Sequence, residues 1–147
     1  MNLKVKYLPN YNKKEWGEVK FEKPRDSGFD LRVALPYAIT IAPGDTVFLP
    51  TGIAVQLPEG FEIQVRPRSS WSKAGFHVAL GTVDSGYRGE IKVVMTSMSK
   101  DKSYQLLPGK RIAQAVVCFK PQVFFVTVDE LDPSERGEGG FGSTGAF

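Results

Sequence analysis

Apolar and polar positions along this chain change places over short distances, and turn residues break the pattern again and again. The apolar or alternating runs are residues 46–49, 53–57, 61–65, 91–95, 112–119 and 123–128. They are rich in Val, Ile, Phe and Thr, whose branched or aromatic side chains suit a pleated surface. Ile63 and Val65 alternate with Gln64 and Arg66, as in a strand with one buried face. Residues 115–119 are almost wholly apolar, which predicts a strand covered on both faces. Pro43-Gly44, Pro58-Glu59-Gly60, Asp84-Ser85-Gly86 and Pro108-Gly109 supply the turns. No segment keeps a helical period for three turns. One helical turn is expected over 69–74, with serine as cap and Gly75 as stop. Many short strands without an internal repeat predict an all-β, single-domain sandwich, barrel or jelly roll.

The body of that domain is expected over residues 1–132. After Asp132-Pro133 the character changes: five of the 15 glycines fall in the last eleven residues, so 133–147 reads as a flexible glycine-rich C-terminal arm.

Composition narrows the function classes. A chain of 147 residues with 41% hydrophobic and 24% charged content holds one core and is neither disordered nor fibrous. No apolar run approaches the ~20 residues of a membrane-spanning helix, and the first residues lack a signal peptide's apolar centre. The lone Cys118 makes no internal disulfide and reads as an inert core thiol; a reducing, cytoplasmic setting is expected. Charge is uneven: residues 1–128 carry a net +7 and residues 129–147 a net −4. A basic body attracts polyanions, yet the cations are scattered without a block of five. No nucleic-acid or membrane partner is therefore predicted.

Four stretches carry candidate chemistry. The first, in chain order, is Asp26-Ser27-Gly28-Phe29-Asp30-Leu31, where Asp30 either pairs with an arginine such as Arg111 or sits near a metal ion's hydration shell. In the second, Arg66-Pro67-Arg68-Ser69-Ser70-Trp71, an arginine and two hydroxyls meet an expected helix start, either an anion site or a capped surface loop. The third, residues 81–90, reads as a hairpin with Asp84 near its turn. There Asp84 bonds its own backbone or, beside a bound anion, deprotonates a water. The fourth is the arm itself, with Arg136, Phe141, Gly142, Ser143 and Thr144. Its G-x-G-x-x-G spacing has neither the leading strand nor the following helix of a dinucleotide fold. What remains is glycine backbone free to converge on an anion, with a guanidinium and two hydroxyls beside it. One histidine, His77, and one cysteine do not make a zinc ligand set, and no G-x-S-x-G elbow is present.

Together with Arg111-Ile112-Ala113-Gln114, these stretches resemble the five ordered motifs of the trimeric dUTP diphosphatases, at residues 26–34, 67–70, 81–89, 111–114 and 136–145. The resemblance implies a jelly-roll-like fold and a homotrimer with three active sites at subunit boundaries. It also implies that the arm is a lid over a neighbouring subunit's site. The implied reaction turns dUTP into dUMP and pyrophosphate, keeping uracil out of DNA and supplying dUMP for dTMP synthesis. Asp84 matches the acid that activates water for attack on the α-phosphorus. Tyr87 matches the aromatic packed on deoxyribose, and backbone around Val78, Gly81, Thr82, Val83 and Lys92 matches the uracil-reading slot. Arg68, Ser69, Ser70 and Gln114 match phosphate contacts. Arg136, Gly142, Ser143 and Thr144 match lid contacts, and Phe141 the aromatic stacked on uracil. Mg²⁺ is implied on the triphosphate and its waters with no direct protein ligand, Asp30 contributing through water. Ser70-Trp71 stands where many members have Gly-Leu, Gly86 where an acid is common, and Val78 where some have asparagine. A dCTP deaminase-like enzyme of the same fold and a non-catalytic nucleotide-binding module are the alternatives. Tyr87 and the complete arginine-phenylalanine tail weigh against the first, and an intact Asp84 against the second.

Overall fold

The computed structural model describes residues 1–135, 137 and 138. The chain runs β1 (Lys4–Tyr7), α1 (Lys13–Trp16), β2 (Phe29–Arg32), β3 (Ile39–Ile41), β4 (Thr46–Gln56), β5 (Phe61–Arg66), α2 (Ser69–Lys73), β6 (Phe76–Val78), β7 (Gly81–Val83), β8 (Glu90–Ser97), β9 (Tyr104–Leu106) and β10 (Arg111–Phe119). Two four-stranded sheets, β1-β4-β8-β6 and β2-β10-β5-β7, and a β3-β9 ribbon form an all-β, jelly-roll-like domain. All pairings are antiparallel. Among the described residues no helix is long and apolar enough to cross a membrane.

The core follows the alternation. Ile63 and Val65 of β5 are buried while Gln64 and Arg66 are only partly so; β8 buries Ile91, Val93 and Met95 on one face. The expected runs 46–49 and 53–57 are one strand, β4, with a register shift between Pro50 and Ala54. Gly52 makes the irregularity possible. Its φ is 69°, and a Cβ there would lie 2.8 Å from Tyr11 Cβ and 3.0 Å from Ala34 Cβ. The shift also turns the Gly52 N–H toward Glu90, whose Oε1 accepts it at 2.8 Å and accepts Asn10 Nδ2 at 3.0 Å.

Five expectations are corrected. Residues 123–128 form no strand and are strongly exposed, Phe124 at 78% and Phe125 at 97%, because no described strand offers them a partner. The end of β10 is not covered on both faces. Val116 is buried, Val117 half-buried and Phe119 exposed, and beyond Ala115 the strand also loses β2 at its edge, pairing among the described residues with β5 alone. Cys118 is accordingly half-buried rather than a core thiol. The helical turn at α2 is capped by Arg68 with no side-chain hydrogen bond, not by a serine. Finally, residues 81–90 do not close a hairpin. Their arms enter different sheets, β7 pairing with β5 and β8 with β4 and β6, so the intervening loop turns a corner between layers. The single turn α1 was not expected from the sequence; it is held by Asn12 Oδ1 accepting from Glu15 N at 3.2 Å.

Candidate active site

The expected site residues gather at two clefts that share no lining residue. The first, of about 490 Å³, is lined by Glu22, Asp26, Ser27, Gly28, Asp30, Arg68, Ser69, Arg111 and Gln114. Strand pairing brings these distant stretches together. The central β10 sets Gln114 opposite Asp30 of β2 on one side and opposite Arg66 of β5 on the other. The chain leaving β5 therefore passes Gln114, whose Nε2 donates to Pro67 O at 2.9 Å and fixes the entry to Arg68 and Ser69. Gly28 permits the close approach of the first loop, since a Cβ there would lie 3.0 Å from Ala115 O and 3.1 Å from Gln114 Oε1.

Charge organises this cleft. Asp30, its side chain 18% exposed, accepts Arg68 Nε on Oδ1 at 2.8 Å and faces Arg111 Nε with Oδ2 at 3.3 Å. Arg111 Nη2 also pairs with Glu22 Oε1 at 2.9 Å. The Arg111 carbonyl accepts the Trp71 indole Nε1–H at 2.7 Å and Arg68 Nη1 at 3.4 Å. Trp71 is buried against Phe76 and Tyr104, with ring centroids 5.1 Å from each, so α2 is anchored to β10 through a backbone oxygen. Ser69 and Ser70 stay exposed at the start of α2. Two part-buried guanidiniums held by one carboxylate, with free hydroxyls and an amide beside them, suit a multiply charged anion.

The second cleft, about 260 Å³, is lined by Val65, Gly81, Thr82, Val83, Tyr87, Glu90, Ile91 and Lys92. Gly81, Thr82 and Val83 form β7, so their backbone edges border the space. Asp84 follows β7 directly and is exposed. Its carbonyl accepts Tyr87 N–H at 3.0 Å, and Arg88 Nη1 donates to the carbonyls of Ser85 at 2.6 Å and Tyr87 at 2.8 Å, which staples the loop. Tyr87 Oη donates to Glu90 O at 3.0 Å.

Asp30, Arg68, Ser69 and Gln114 thus share the first cleft, and Gly81, Thr82, Val83, Tyr87 and Lys92 share the second. Ser70 and Asp84 border without lining, and the Val78 side chain lies in the core, away from both. Arg136, Phe141, Gly142, Ser143 and Thr144 lie outside the described residues. Glu22 and Glu90 were not singled out from the sequence. Glu22 sits in an irregular stretch with no pattern to mark it, and the bond from Tyr87 to Glu90 runs to a backbone carbonyl, which no side-chain pattern signals. Among the described residues no group of three or more His, Cys, Asp or Glu is placed to hold a metal ion.

Comparison with known proteins converges on one family. Residues 14–145 match the family model described as dUTPase. A Fusobacterium nucleatum protein named deoxyuridine 5'-triphosphate nucleotidohydrolase is 45% identical over 129 residues, covering 86% of this chain and 88% of that one. A Rickettsia bellii protein of the same name is 41% identical over 149 residues, covering 99% and 96%. Among solved structures, the Staphylococcus bacteriophage 80alpha dUTPase with dUPNHPP superposes with a TM-score of 0.86 at 26% identity, covering 98% of each chain. A mutant dUTPase from phage phi11 of S. aureus, described with a structural Mg(II) ion, shares the fold at a TM-score of 0.79 and 20% identity, over 90% of this chain and all of that one.

Proposed function

The chain belongs to the dUTPase family and hydrolyses dUTP, and from that premise we propose that it works as a homotrimer whose sites draw on more than one copy. The observation that carries this reading is the division of the site residues between two clefts. One suits phosphates and the other a flat base beside a carboxylate, and each gathers only part of the residues expected to contact the substrate. In an assembly, the Asp84 loop of one copy faces the Asp30–Arg68–Arg111 cleft of another, and residues 136–147 close over the pair.

In the proposed mechanism the β7 backbone around Gly81, Thr82 and Val83, with Lys92, reads uracil, and Val78 contributes through its backbone alone. Fixed backbone donors and acceptors discriminate well because a wrong base edge leaves them unpaired. Tyr87 packs on the deoxyribose. Arg68, Ser69, Ser70 and Gln114 position the phosphates. Asp84 takes a proton from water, the oxygen attacks the α-phosphorus in line, and pyrophosphate leaves with dUMP as the other product. Arg136 neutralises charge on the leaving phosphates, Gly142, Ser143 and Thr144 contact them, and Phe141 stacks on the base. Most of the rate then comes from positioning and charge neutralisation.

The donor set fits a magnesium ion that arrives on the substrate. Both oxygens of Asp30 are engaged by arginines, and Mg²⁺ prefers phosphate oxygens and water to a protein cage. Asp30 would meet the ion through water, and the bound ion supplies charge neutralisation. The nucleotide substrate and the single cysteine support a cytoplasmic setting.

Pyrophosphate release from dUTP, dCTP and dTTP tests the reading. Selective dUTP turnover is expected, and Asp84→Asn, which keeps the shape but not the base, loses at least about a hundredfold in kcat. Equal turnover of dTTP, or an undiminished mutant, contradicts the proposal.

A further inference from the structure

Tyr87 is an exposed aromatic ring, 46% accessible, in a loop between two sheets, yet it has a defined seat. Its hydroxyl donates to the carbonyl of Glu90 at 3.0 Å, and Glu90 is itself fixed by the Gly52 N–H at 2.8 Å and Asn10 at 3.0 Å. The ring reaches that carbonyl by lying across residue 89. A Cβ at Gly89 would overlap the Tyr87 hydroxyl and lie 2.5 Å from Cζ and 3.0 Å from Cε2. None of the atoms nearest that point belongs to any other residue, and φ at Gly89 lies outside the left-handed region. The absent side chain at residue 89 leaves the space in which the hydroxyl end of Tyr87 lies.

We infer that Gly89 determines sugar specificity as a positioning residue: it is the floor on which Tyr87 rests at the height that excludes a ribose 2′-hydroxyl. This rests on the reading of Tyr87 as the deoxyribose-facing aromatic. A methyl group at position 89 lifts the ring and breaks its bond to Glu90. The displaced part is the free end of an exposed side chain, so the fold is little affected. The wall against the 2′-hydroxyl is what moves.

The experiment compares kcat/KM for dUTP and UTP in the wild type, Gly89→Ala, Tyr87→Ala and the double variant, with a thermal melt of each. Gly89→Ala is expected to melt near the wild type and to narrow the preference for dUTP over UTP by at least about tenfold. In the Tyr87→Ala background the same change adds nothing to the selectivity, because the two act through one ring. Relaxed selectivity in Tyr87→Ala with full selectivity in Gly89→Ala overturns the inference and leaves the Tyr87 reading standing. Full selectivity in Tyr87→Ala removes that reading and the inference with it. A Gly89→Ala protein that fails to fold, or a further selectivity loss in the double variant, also overturns it, since residue 89 would then press on more than Tyr87.

Discussion

Asp30 joins two guanidiniums that would otherwise repel each other inside a confined cleft. Its carboxylate lies against Arg68 and Arg111, and Glu22 takes a second edge of Arg111. In such partly buried surroundings each ion pair contributes modestly to stability but strongly to orientation, because removing one partner leaves the others uncompensated. Asp30→Asn keeps the volume and deletes the charge. It is expected to lower stability by about 1–2 kcal/mol and to raise KM for dUTP several-fold more than it lowers kcat. Denaturant melts and steady-state kinetics measure both. If added Mg²⁺ fully restored the mutant, Asp30 would act mainly through the ion and not through the arginines. The pairing of Asp30 with Arg111 was legible in the sequence as one of two alternatives. The Trp71–Arg111 bond was not, because an indole's partner depends on which carbonyl the tertiary fold carries to it.

The longer strands with clear alternation were the ones that could be read, whereas the short β1, β3 and β9 were not, although each pairs inside the chain. β5 and β8 follow their alternation, and the glycine turns fall at Gly44, Gly60 and Gly109, each with positive φ. Where pairing is decided at long range, local pattern failed. The two arms flanking Asp84 look like a hairpin but join separate sheets, and residues 123–128 have strand composition without a strand to pair with. That exposed Val-Phe-Phe-Val run is a surface a lone molecule gains nothing from displaying. Among the described residues, all ten strands and every buried core residue lie at or before position 119. Deleting residues 136–147 is therefore expected to leave the melting temperature and oligomeric state unchanged while abolishing most dUTP turnover. Unfolding of the truncated protein, or full activity, contradicts the lid role.

At the scale of the whole molecule, the proposed function divides one nucleotide site into two halves on each chain. The phosphate-side half gathers on β2, β10 and the β5–α2 connection, and the base-side half on β7, β8 and the loop between them. Joining halves from different copies is a property of a cyclic, head-to-tail assembly, in which each interface uses two different surfaces. Neither half can be repaired from within its own chain if this is so, but a second chain can repair it. The decisive measurement mixes Asp84→Asn chains with Arg68→Ala chains, each inactive alone, and follows pyrophosphate release as subunits exchange. If one site takes Asp84 and Arg68 from different copies, about a quarter of the sites in randomly mixed trimers are intact and activity returns in that proportion. No recovery, in mixtures that native mass spectrometry shows to contain both chains, would mean that each chain builds its site alone.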